Sequence, residues 1–139
     1  MNAIEKSEKV QGIPLLSIMM KIQAIAFLIY GLLLFLIPAW TLQSIFGFEK
    51  LPPLIYLRII GGLFLAIVLA EYLCFRRLLE LLDLTWFFVA APGFMLVAVI
   101  WEGVAGTYEG TSFFYWSTIF VTLFFIVVIW LSRIRVKGI

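Results

Sequence analysis

Residues 54–75 read LIYLRIIGGLFLAIVLAEYLCF, with Pro52-Pro53 before them and Arg76-Arg77 after. Only Arg58 and Glu71 carry charge in this stretch. At 1.5 Å per residue a helix over it is about 33 Å long, enough to cross a hydrocarbon core. Proline suits the first turn of such a helix. A pair of arginines suits the point where it leaves the membrane.

Three further blocks of the same kind flank it, at 15–37, 84–101 and 113–131, and Lys21 is the one charge inside them. The chain has 139 residues and is 65% hydrophobic, with a mean hydropathy of +1.16. Soluble domains are about 45–50% apolar, and a chain this short has too much surface to hide the excess. The expected fold is therefore all-α: one domain, an antiparallel four-helix transmembrane bundle.

The segments between the blocks are short. Pro38 should stop the first block, and AWTLQSIFGFEKLPP (39–53) reads as an interfacial loop with a short amphipathic turn. Asp83 is placed to cap the third helix, and Pro92-Gly93 in its middle should kink it. EGVAGTYEGTS (102–112) reads as a glycine-rich acidic loop and SRIRVKGI (132–139) as a basic tail. At the N-terminal end, Glu5 and Lys9 can pair across one helical turn. Acidic residues and the long apolar run that follows argue against a cleavable signal peptide.

Four spans put both termini and the middle linker on one side. That side holds Lys6, Lys9, Arg76, Arg77, Arg133, Arg135 and Lys137, whereas the loops of the other side hold Lys50. The positive-inside rule then predicts a cell-membrane protein with both termini cytoplasmic. Trp40, Tyr56, Trp101, Tyr108, Tyr115 and Trp116 would form an outer aromatic belt, with Tyr72, Trp86 and Trp130 inside.

The charges within spans are the candidates for a site, because an ionisable group in the bilayer is costly. Arg58, Gly62, Ala66 and Ala70 repeat every four residues. A stripe of small residues lets a second helix approach closely, so Arg58 is expected to face the bundle interior. Glu102 or carbonyls freed near Pro92 would be its partner, with a ligand contact or snorkelling to the headgroups as alternatives. Lys21 and Glu71 fall toward the cytoplasmic side and can pair if helices one and two are neighbours, or each can reach its own interface. Ser17, Gln23 and Tyr30 suit helix–helix hydrogen bonds. Cys74 reads as inert, or as a lipidation site at the membrane edge. Glu102 and Glu109 among glycines suit a solvated loop better than a cation site, since hard cations take six or more oxygens.

The stretch 33–77, LLFLIPAWTLQSIFGFEKLPPLIYLRIIGGLFLAIVLAEYLCFRR, resembles the first half of small four-span DoxX-like proteins and related families of unknown function. The shared features are a span ended by proline (Pro38), a loop with Phe46-Gly47, and a span opening Leu57-Arg58-Ile59-Ile60-Gly61-Gly62. The resemblance covers about a third of the chain. It implies a four-helix membrane bundle, and association of some members with quinone-linked redox complexes; it transfers no catalytic residue.

Other functions are narrowed by composition. With no histidine, His-ligated haem, His-based zinc sites and histidine general bases are excluded. One cysteine excludes an intrachain disulfide, and a net charge of +2 gives no reason to expect nucleic acid. There is no nucleophile elbow, phosphate loop, dinucleotide fingerprint or metal-ligand spacing. No cofactor, metal or catalytic residue is expected. The lipid bilayer is the expected partner, together with a second copy or another membrane protein. The leading expectation is a non-catalytic accessory or interaction subunit. The alternatives are a small oligomeric carrier or channel using Arg58 and Glu71, and a quinone-linked redox subunit.

Overall fold

The computed structural model describes residues 3–78 and 80–137, with side chains for 13–78 and 80–136. The expected Glu5–Lys9 pair and the side chains of Lys6, Lys9 and Lys137 lie outside the described residues. Helix α1 runs Ala3–Leu36, with Pro14 inside it. A single turn, α2 (Pro38–Trp40), continues into a wider turn at Thr41–Ile45. Helix α3 is Leu54–Arg76. A 3₁₀ turn, Leu82–Trp86, leads into α4, Phe87–Ala105, and α5 is Ser112–Lys137. Among the described residues there is no strand.

Among the described residues four segments are long and apolar enough to cross a membrane: Ile13–Leu36, Leu54–Arg76, Leu82–Ala105 and Ser112–Val136. The surface agrees with that solvent. Ile25, Leu63, Phe94, Val97, Phe113 and Phe120 are all more than half exposed, and soluble proteins rarely show such contiguous apolar surface. The rings expected at the two interfaces, including Trp40, Tyr56, Trp101, Trp116, Tyr72, Trp86 and Trp130, are exposed as well.

Two ends differ from expectation. The stretch 132–139 was expected as a tail, but α5 continues through Lys137 and buries Ser132, Arg133 and Val136. No helix breaker precedes Gly138, and Ile129, Arg133 and Val136 keep the helical spacing of one face. Asp83 does not cap α4. It lies in the 3₁₀ turn, and α4 starts at Phe87, with Trp86 in the capping position and no side-chain cap. Pro38 ends α1 as expected and opens α2 at its first position, where its missing N–H is harmless.

The helices pack in the order α3–α1–α5–α4, each mainly against its neighbours in that row. Consecutive α3 and α4 are therefore the two ends of the row. They approach each other where α3 meets the Leu82–Trp86 turn, near the end of the bundle that carries the chain termini. The tightest seam is α1 on α3. Gly61 lies so close to α1 that a Cβ there would be 2.6 Å from the Phe35 nitrogen and 2.8 Å from the Gly31 oxygen. Phe27 and Phe64 stack one turn further along, with centroids 5.3 Å apart.

At the far end the loops form a cap. Thr111 N–H donates to the Phe46 carbonyl at 3.3 Å and joins the two loops. The Phe46 ring packs on Phe114 (4.2 Å) and Tyr30 (6.1 Å), and Phe48 continues to Tyr108 and Tyr115. Burial, with Tyr115 beside it, pushes the Tyr108 phenol above its ordinary value, so this ring of the cap stays neutral at physiological pH. Gly106 ends α4 in a left-handed turn (φ 70°), which only glycine adopts freely.

Candidate functional site

The row arrangement leaves a cavity of about 430 Å³ between the helices. Phe27 and Tyr30 of α1, Phe64 of α3, Met95 of α4, and Thr118 and Phe125 of α5 are among its walls. Phe46 and Phe114 close its far end, and Pro92 lines it from α4. Ile60, Ala98 and Val121 line it yet remain exposed, which places its opening on the membrane-facing side, between α3 and α4. Two of its four lining hydroxyls are turned back onto their own helix. Ser117 and Thr118 already donate to the Phe113 and Phe114 carbonyls of their own helix, at 2.7 and 2.8 Å. The cavity is a hydrocarbon slot of ligand-pocket size.

Beyond it, toward the termini, lies a core in which apolar and polar groups mix. Leu16, Met20, Cys74, Leu78, Phe88, Ile129 and Val136 form the apolar part. Gln23, Glu71, Thr85, Ser132 and Arg133 are buried beside them. Gln23 has a definable task. Proline has no N–H, so Pro92 leaves the Phe88 carbonyl, four residues back, without its helical donor. Gln23 Nε2 donates to that carbonyl at 3.2 Å. A side chain of α1 thus repairs the hydrogen bond that Pro92 removes, and α4 stays helical through Pro92-Gly93. Pro92 is buried, whereas a Cβ on Gly93 would meet nothing within 4 Å.

This repair carries a prediction. Gln23→Leu should lower stability by about 1–2 kcal/mol, the range for an interhelical bond whose loss orphans a buried acceptor. In a Pro92→Ala background the backbone N–H returns, and Gln23→Leu should cost much less. Denaturation of the four variants in micelles measures the coupling; equal costs in both backgrounds would contradict the repair.

Arg133 has the largest fully buried side chain. Its Nε donates to Thr85 Oγ1 at 2.8 Å, its Nη2 lies 3.4 Å from Asp83 Oδ1, and its guanidinium sits 4.2 Å from the centre of the Trp86 ring. It locks α5 to the turn that precedes α4. The sequence placed Arg133 in a basic tail, although its spacing from Ile129 and Val136 was the available signal.

The other candidates change face. Arg58 does not look inward: it is exposed, with no hydrogen bond or ion pair among the described residues. The inward face of α3 is set by Leu57, Gly61, Glu71 and Cys74. Arg58 stands one residue round from it, where snorkelling serves it. The small-residue stripe is displaced likewise: Gly61 makes the close approach, Gly62 and Ala70 are half-buried, and Ala66 is exposed. Glu102 is no partner for Arg58; it is exposed and accepts a bond from the Thr107 hydroxyl in its own loop. Lys21 is exposed and rests 5.4 Å from the Phe75 ring centre, not on Glu71. Glu71 is fully buried, and neither carboxyl oxygen has a hydrogen-bond partner. Cys74 is also fully buried, its thiol donating to the Leu81 carbonyl at 3.7 Å, so the lipidation alternative has no accessible sulfur. Among the described residues no cluster of three metal-ligating side chains occurs.

Fold and site together define an all-α four-helix membrane protein with a cavity open to the lipid side. No family model, curated protein or solved structure matches the chain.

Proposed function

We propose that this is a non-enzymatic membrane protein that takes an apolar chain, a lipid or isoprenoid tail, from the bilayer into the cavity between α3 and α4. The cavity carries the proposal. It is open sideways, closed at the far end by Phe46 and Phe114, and lined by hydrocarbon that would otherwise be unpacked. Empty apolar space forfeits dispersion contacts, and a lipid chain restores them. The basic residues at the termini end, Arg76, Arg77, Arg133 and Arg135, support a cytoplasmic placement of both termini. In this reading the protein serves as an accessory subunit to another membrane protein or a second copy. The DoxX-like resemblance, with its quinone-linked members, favours an isoprenoid tail. A carrier using Arg58 and Glu71 together loses its basis, because one is exposed and the other is in the core.

Ala98→Trp tests the reading. Ala98 lines the open side, and an indole there should close it. Native mass spectrometry of wild type from mild detergent should show one retained lipid-like adduct per chain, and the variant should lose most of it. Val97→Trp, on the outward face (Val97 66% exposed), should keep it. Equal retention by both variants, or none by wild type, would reject the proposal.

A further inference from the structure

Glu71 lies on α3 between Ile67 and Cys74, both of which pack in the apolar core at the termini end. Its side chain is 0% exposed and both oxygens are unbonded. Gln23 of α1, also 0% exposed, spends its nitrogen on the Phe88 carbonyl and leaves its Oε1 unbonded. Buried acceptors are almost always paired, so three orphans in one core need an explanation. The register that sets Gly31 against Gly61 and Phe27 against Phe64 puts Met20 level with Glu71. Gln23 then stands about one turn away, roughly 5 Å along the axis, within reach of two long side chains.

The neighbouring charges do not answer the carboxyl. On α1, Lys21 is level with it but turned out onto Phe75. On α5, Arg133 is held by Thr85, Asp83 and Trp86. On its own helix, the Cys74 hydrogen goes to Leu81. From α4 the core receives Phe88 and Val89, which carry no charge. What the three oxygens lack is a hydrogen to share. A hard metal ion takes six or more oxygens, more than are present.

We propose that Glu71 is a membrane-embedded proton-binding site whose bound proton is shared with Gln23 Oε1. The carboxylate takes up one proton, an O–H bond forms on one Oε, and that hydroxyl donates to Gln23 Oε1; release reverses the step. One proton thereby pairs both side chains. It also holds Gln23 in the orientation that serves the Phe88 carbonyl beneath Pro92, a wall of the cavity. The site stands independently of what the cavity holds.

Dicyclohexylcarbodiimide, which adds to protonated carboxyls in apolar surroundings, tests this on the intact protein in nanodiscs. Peptide mapping should find one adduct per chain, on Glu71 and not on exposed Glu49, Glu80, Glu102 or Glu109. The adduct should fall at least tenfold as pH is raised, and vanish in Glu71→Gln, which keeps the shape of the side chain. Gln23→Leu should move the pH at which labelling falls. No labelling of Glu71 at any pH, or labelling indifferent to pH, would overturn the proposal. Protection by sodium at constant pH would overturn the proton in favour of a metal cation.

Discussion

Gly61→Ala should be severely damaging for the addition of a single methyl, costing about 3 kcal/mol or more. The added carbon would meet the Phe35 nitrogen at 2.6 Å, the Gly31 oxygen at 2.8 Å and the Leu34 carbonyl carbon at 3.0 Å. All three are backbone atoms of α1, so no rotamer change relieves the clash and the two helices must move apart. Overpacking in a well-filled core costs about 1–3 kcal/mol even where side chains can adjust. Gly62→Ala is the control. Its Cβ would meet only the edge of the Phe35 ring, at 4.0 Å, and alanine gains about 0.5–1 kcal/mol over glycine in a helix. Denaturant melts in micelles should therefore separate two adjacent glycines by several kcal/mol. Gly31→Ala should fall between, since it meets the Leu65 side chain and the Phe64 Cβ at 3.0–3.1 Å.

Arg133→Ala should come next, at about 2–3 kcal/mol. Its Asp83 partner has an 89% exposed side chain, and an ion pair that wet on one side is worth little. The loss comes from elsewhere. Thr85 loses its 2.8 Å partner, the Trp86 face loses a cation at 4.2 Å, and the buried stem leaves a void. Arg133→Lys should recover part of the loss, because an ammonium cannot reproduce the planar fork. Asp83→Asn should cost under about 0.5 kcal/mol. Melts ranking Asp83→Asn above Arg133→Ala would show that charge, not packing, holds this corner.

The spans were legible because length and apolarity are local properties. A helix that crosses a bilayer needs about 20 apolar residues, whatever it packs against. Which side faces in was not legible, for the same reason. In α3 nearly every side is apolar, so no stripe marks the interior, and Gly61-Gly62 offered two equivalent reading frames. The choice depends on Gly31 of α1, and thus on a register that exists only between two helices. Lys21 and Glu71 show the same effect. They stand level across the α1–α3 seam, where their positions in the two blocks suggested different depths, but Met20 takes the inward place and Lys21 turns out. The cavity was not legible at all. It arises from the order α3–α1–α5–α4, which separates two consecutive helices, and four-span connectivity alone does not dictate that order.

Lipid entry between α3 and α4 leaves a trace on the cavity wall. Photoactivatable fatty-acyl lipids in nanodiscs, with crosslinks mapped by peptide mass spectrometry, test it most directly. Crosslinks are expected on cavity-facing Phe64, Met95 and Thr122 in addition to the outer surface, and should be lost in Ala98→Trp. Crosslinks confined to outward side chains such as Leu63, Phe94 and Val97, unchanged by Ala98→Trp, would contradict it.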